Sequence, residues 1–185
     1  MATKPSETIL RRQLREISRN GIPGISAGLL EDNIYQWEVL LIGPDDTLYE
    51  GGFFKARLSF PEDYPLQPPK MRFETAMWHP NGMNPVKWAI IRRYQLTVSI
   101  VYQDGNVCIS ILHPPGEDKY GYEDAGERWL PVHSPETILL SVIAMLSSPN
   151  PDSPANIDAA RELREDYPAF KKRVRKLVRE SAEAL

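Results

Sequence analysis

The sequence predicts an α+β fold: an N-terminal helix, a four-stranded antiparallel meander, then C-terminal helices. Three observations predict it. Both ends carry apolar residues at helical spacing: Leu10, Leu14 and Ile17 near the start, and Phe170, Val174, Leu177 and Val178 near the end. Between residues 53 and 60 the pattern changes to strict alternation. The 17 prolines concentrate between residues 61 and 154, which predicts fixed loops there and not long helices.

Residues 5–19 read as the first helix. Pro5 suits its first turn, and Asn20-Gly21 supplies a stop. Its other face carries Arg11, Arg12, Arg15 and Arg19, which form either a solvated face or a docking surface for an acidic partner. Gly24–Leu30 reads as a first strand, and Ile34–Ile42 as a second with Tyr35, Trp37, Val39 and Leu41 on one side. Gly43-Pro44-Asp45-Asp46 ends it. In the third strand, Phe53–Phe60, the residues Phe54, Ala56, Leu58 and Phe60 face one way and Lys55, Arg57 and Ser59 the other. Pro61–Pro69 reads as a loop with Tyr64-Pro65-Leu66 exposed at its tip, and Lys70–Phe73 as a fourth strand. Short connections between successive strands predict antiparallel pairing. Residues 74–133 read as mostly irregular. Ser134 and Pro135 open a helix over 134–147, with Ile138, Leu139, Val142, Ile143 and Leu146 on its apolar face. Ser153-Pro154 introduces a helix at 155–166, and a last one runs from Pro168 to Ala184.

The chain of 185 residues reads as a single domain, 1–185. Four Trp, eight Tyr and five Phe within 42% hydrophobic residues suffice for a core. Basic and acidic residues balance, 22 against 25, which argues against nucleic-acid binding. No apolar run approaches the ~20 residues that cross a bilayer, and no signal peptide opens the chain. A single cysteine, Cys108, fits a reducing compartment and is either a buried filler or a reactive group. One Cys and three scattered His lack any metal-ligand spacing.

Six short motifs decide between filler and reactive thiol: Tyr49-Glu50-Gly51-Gly52, Phe60-Pro61-Glu62-Asp63-Tyr64-Pro65, Pro68-Pro69-Lys70, His79-Pro80-Asn81, Gly105-Asn106-Val107-Cys108 and Trp129-Leu130-Pro131. In this order and over nearly the whole chain, they resemble the ubiquitin-conjugating enzymes. The loop His113–Arg128 and Ser153-Pro154-Ala155-Asn156 look like the G-type, acidic-loop subclass. The resemblance implies the ubiquitin-conjugating fold. It implies that Cys108 takes ubiquitin from the activating enzyme as a thioester, a role suited to sulfur as both nucleophile and leaving group. With a ubiquitin ligase of the RING type, ubiquitin then passes to a lysine of a protein substrate or of ubiquitin, building chains for proteasomal degradation. The resemblance implies that no cofactor binds directly, ATP being used by the upstream activating enzyme.

The resemblance also assigns residues. Asn81 corresponds to the family's amide donor to the oxyanion, or to a brace of the active-site loop. His79 and Pro80 are structural in that loop. Within the acidic loop, which carries Glu117, Asp118, Glu123, Asp124 and Glu127, His113 and Asp118 are the candidates for orienting an incoming lysine and removing its proton. Glu117 and Asp118 are not expected to lower the Cys108 pKa. The first helix (Arg11, Arg12, Arg15), Leu66, and Pro131 with Val132 match the docking surfaces for ligase and activating enzyme. The expected location is the cytoplasm, with partners able to hold the protein at the cytosolic face of the endoplasmic reticulum or carry it into the nucleus.

One departure stands out. Excising Gly82–Ile100, 19 residues, leaves His-Pro-Asn-Val-Tyr-Gln-Asp-Gly-Asn-Val-Cys, the family spacing of Asn to Cys. The excess reads as a retained intron translated in frame, or as a partner-binding hairpin. It opens an alternative function: a catalytically impaired scaffold that binds ubiquitin or ligase. A third reading, a cysteine hydrolase, needs a histidine oriented by a third group, and the sequence shows no such partner for His113.

Overall fold

The computed structural model describes residues 4–81, 105–117, 123–152 and 154–185. Helix α1, Pro5–Asn20, buries Leu10 and Ile17 and ends where Gly21, at φ 66°, returns its N–H to the Ile17 carbonyl at 3.0 Å. Four strands follow: β1 Ile25–Leu30, β2 Asn33–Ile42, β3 Phe53–Ser59 and β4 Lys70–Phe73. They pair antiparallel in sequence order.

Register explains the core. Trp37 lies opposite Leu58, Val39 opposite Ala56, and Leu41 opposite Phe54, while Ala56 and Leu58 meet Phe73 and Met71 across the next ladder. All of these are buried, so one face of the sheet is a continuous apolar surface. Removing each such large side chain from water contributes roughly 1.5–3 kcal/mol. Three helices follow the active-site region: α2 Pro135–Ser147, α3 Ile157–Glu165 and α4 Tyr167–Glu183. Helix α1 packs on β1, β2 and α2, and α4 packs on β3 and α3. Ser181 of α4 accepts the Phe53 N–H at 3.0 Å and so ties that helix to the start of β3.

The α+β expectation holds, with element ends shifted by a residue or two. Two details differ. Ile34 is buried and Tyr35 only half-buried, because the β1–β2 register shifts between Leu29 and Leu30 and Tyr35 reaches Ser6 Oγ with its hydroxyl at 2.9 Å. Tyr64, expected at an exposed tip, is 2% exposed. Its ring packs 5.2 Å from Phe60 and 5.9 Å from Trp129, and its hydroxyl donates to Gln13 Oε1 at 2.9 Å. A tyrosine can be buried once its OH has a partner. Of Tyr64, Pro65 and Leu66, only Leu66 is exposed.

Candidate active site

Cys108 is presented by a segment clipped to β4. Phe73 N–H donates to the Gly105 carbonyl and Val107 N–H to the Met71 carbonyl, both at 2.9 Å, and Asn106 bridges to Arg72. Gly105 is required twice over. Its φ is 84°, and a Cβ there would run into the Phe73 carbonyl. Extended backbone alternates its side chains, so Val107 points into the core and Cys108 points out. A single 3₁₀ turn, Ser110–Leu112, then reverses the chain through Leu112 N–H to Ile109 and His113 N–H to Ser110. That turn brings His113 Nε2 to 3.5 Å from Cys108 Sγ.

His113 is held from behind. Its Nδ1 lies 2.8 Å from both carboxylate oxygens of Glu123. Ser110 Oγ donates to Glu123 Oε1 at 2.9 Å, and Arg128 Nε lies 3.5 Å from Oε2. Burial pushes the Glu123 carboxyl up, but hydrogen bonds from His113 and Ser110, with the charges of His113 and Arg128, outweigh it and hold its pKa below the usual value. Cys108 is exposed, yet the atoms packed beneath it still strip water from one side. This desolvation, with the Glu123 charge second, pushes the thiol pKa up. The carboxylate that acts on the thiol is thus Glu123 and not Glu117 or Asp118, the pair considered from the sequence, of which Asp118 lies outside the described residues. The oriented partner for His113 that sequence reasoning did not find is also Glu123.

Asn81, which ends the turn His79-Pro80-Asn81, lines a groove of about 410 Å³ together with Cys108, His113, Glu123 and Asn150. His79 is fully buried. Its Nε2 meets the Met145 carbonyl at 3.0 Å, and its Nδ1 accepts the Asn81 N–H at 2.9 Å. Both bonds together need the neutral ring with its proton on Nε2. Burial lowers its pKa to about 4, against a smaller opposing effect of the Met145 bond. Pro80 is buried, and its carbonyl accepts from Asn156 N–H at 2.7 Å. The Asn81 side chain exchanges two hydrogen bonds with the backbone of Asn150: Nδ2 donates to the carbonyl at 2.9 Å, and Oδ1 accepts the N–H at 2.8 Å. Asn81 therefore shares the groove with Cys108 while its amide grips the far loop.

Asp118 and Gly82–Ile100 lie outside the described residues. Arg11, Arg12 and Arg15 are exposed on α1, and Arg12 and Arg15 line a surface groove there. Leu66 is 64% and Val132 81% exposed, and Pro131 is exposed beside Val132. The fully buried Trp129 connects these tips to the site. Its Nε1 donates to the Pro65 carbonyl at 2.8 Å, and its backbone N–H donates to the His113 carbonyl at 3.0 Å.

An antiparallel meander packed on helices, with one exposed cysteine beside a histidine and a buried His-Pro-Asn turn, defines the class of ubiquitin-conjugating proteins. The family model described as ubiquitin-conjugating enzyme matches residues 9–85 and 93–178, and its break falls within Gly82–Ile100. The chain belongs to this family and is a ubiquitin transferase, with ubiquitin, activating enzyme and ligase as its family's partners. Ubiquitin-conjugating enzyme E2 15 of Schizosaccharomyces pombe is 62% identical over 186 residues, covering 100% of both chains. Ubiquitin-conjugating enzyme E2 G2 of Homo sapiens is 46% identical over 173 residues, 93% of each. The solved structure of human ubiquitin-conjugating enzyme E2 G1 superposes with a TM-score of 0.61 at 48% identity, covering 80% of this chain and 100% of that one. These relatives support the G-type subclass.

Proposed function

We propose that Cys108 accepts ubiquitin from the activating enzyme as a thioester and passes it to a lysine amine of a substrate or of ubiquitin. The observation that carries the reading is the exposed Cys108 Sγ, the described chain's free thiol, standing in a groove with His113 Nε2 at 3.5 Å. The raised thiol pKa suits transfer from an already activated thioester, where no permanently ionised nucleophile is needed. His113 receives the proton that the attacking amine sheds, and Asn81 braces the loop that shapes the oxyanion side. A RING-type ligase docks on α1, Leu66, Pro131 and Val132, and the product is polyubiquitin that directs proteins to the proteasome.

Incubation with activating enzyme, ATP and ubiquitin is expected to give a thiol-reducible adduct in the wild-type chain, a reduction-resistant adduct in Cys108→Ser, and none in Cys108→Ala. An adduct that survives in Cys108→Ala overturns the assignment. No adduct at all, with ligase binding intact, supports a scaffold instead. We infer further that Gly82–Ile100 is a retained intron translated in frame. Transcript reads across the Asn81 codon that all contain the segment would sink that idea.

A further inference from the structure

We propose that Glu123 is a positioning residue for ubiquitin transfer: it fixes the tautomer and orientation of His113 so that Nε2 faces the bond carried by Cys108. The inference rests on the reading that Cys108 carries ubiquitin. It adds a residue whose effect is exerted only through the imidazole.

Four contacts define the arrangement. Both Glu123 oxygens lie 2.8 Å from His113 Nδ1, so the Nδ1 proton is fixed between them. An imidazole that donates from Nδ1 keeps its lone pair on Nε2. Ser110 Oγ, at 2.9 Å, and Arg128 Nε, at 3.5 Å, hold the carboxylate in turn. The His113 backbone is also pinned at both ends, through its N–H to Ser110 and its carbonyl to Trp129. The ring therefore has a fixed backbone, a fixed plane and a fixed proton. The Glu123 side chain is less exposed than the ring it holds, 19% against 33%, as expected of a group that supports and does not meet substrate.

The chemistry assigns this to discharge and not to loading. The Glu123 charge disfavours the Cys108 thiolate, so it cannot serve to ionise the free thiol. During discharge an amine nitrogen forms a C–N bond to the thioester carbonyl carbon. The nitrogen loses a proton to His113 Nε2, and the C–S bond breaks with its electron pair returning to Cys108 Sγ. The imidazolium so formed stands beside the leaving thiolate and between it and Glu123, and it returns the proton to sulfur. No other reactant enters. Among the described residues, the titratable and charged groups that face the ring are Cys108, Glu123 and, behind Glu123, Arg128.

The test separates the two half-reactions. Glu123→Gln is isosteric and keeps the fold, Glu123→Ala removes the support, and His113→Gln removes the ring. Loading from activating enzyme is expected to stay within about 2-fold of wild type in both Glu123 variants. Single-turnover discharge of the preformed thioester to lysine is expected to fall about 10- to 100-fold in kcat in Glu123→Ala, with the KM for lysine unchanged. Glu123→Gln, which can still accept the Nδ1 proton, should recover part of the loss. The limb of the discharge pH profile that His113→Gln abolishes should be displaced in both Glu123 variants. The double variant Glu123→Ala/His113→Gln should be no slower than His113→Gln alone. Full additivity in the double variant, a change confined to KM, or wild-type discharge in Glu123→Ala overturns the proposal. Absence of a reducible adduct in the wild-type chain is a different failure, that of the Cys108 reading itself.

Discussion

His79 shows how one buried side chain can make the stability of the fold depend on pH. Its two ring nitrogens are satisfied only when the ring is neutral, by the Met145 carbonyl on one side and the Asn81 N–H on the other. Its pKa is lowered to about 4 from an ordinary 6.5. Between those values the unfolded chain binds a proton that the native ring refuses, so stability rises with pH. The contribution is complete above about pH 6.5 and is lost as pH falls towards 4, amounting to roughly 3 kcal/mol. Urea unfolding at pH 7 and pH 4.5 should show this loss in the wild type and a distinctly flatter dependence in His79→Gln. An equal slope in the two proteins would mean that other groups dominate. Tyr49 stands beside the same ring at 5.4 Å and donates to the Trp78 carbonyl at 2.8 Å, so this buried corner carries several polar groups that are each paired.

At the scale of elements, helix α2 has the strongest start signal in the chain. Ser134 Oγ accepts the Thr137 N–H at 3.3 Å, and the Ser134 N–H donates to Thr137 Oγ1 at 3.0 Å, with Pro135 in the first turn. Ser134→Ala should cost about 1 kcal/mol, measured by denaturant unfolding, and Ser134→Asp should largely restore it. This cap was legible in the sequence, as were the helices and strands, because each depends on spacing within a few residues. The strand rows Phe54, Ala56 and Leu58 fell on the core face as alternation required. What the sequence did not carry were contacts between elements. Nothing in the spacing of His113 and Glu123 marks them as partners, since the loop between them has no period. The grip of Asn81 on Asn150 joins residues far apart in the chain and uses the Asn150 backbone, which leaves no trace in residue type. Tyr64 was misplaced because a loop rich in proline reads as surface, while its burial depends on Gln13 and Trp129 arriving from elsewhere.

For the molecule as a whole, the sheet, α1 and α2 form a frame onto which the site is attached at two separate points. Removing Gly82–Ile100 joins Asn81 directly to Val101 and deletes none of the residues that make the two attachments. The shortened chain should fold and load ubiquitin at least as fast as the chain as written, with a melting temperature no lower. A marked fall in loading would show that the segment takes part in catalysis. Trp129 adds a mechanical link within the same frame, joining the Pro65 carbonyl near the exposed Leu66 to the His113 carbonyl at the site. The two attachments act as moorings. Asn81 is tied to Asn150 on one bank, and Gly105 and Val107 are tied to β4 on the other. Each bank is held by hydrogen bonds of its own, made to residues outside the crossing. Lengthening that span costs only about 1 kcal/mol in loop entropy. The reaction centre is therefore expected to tolerate a crossing of either length, which the loading comparison above checks.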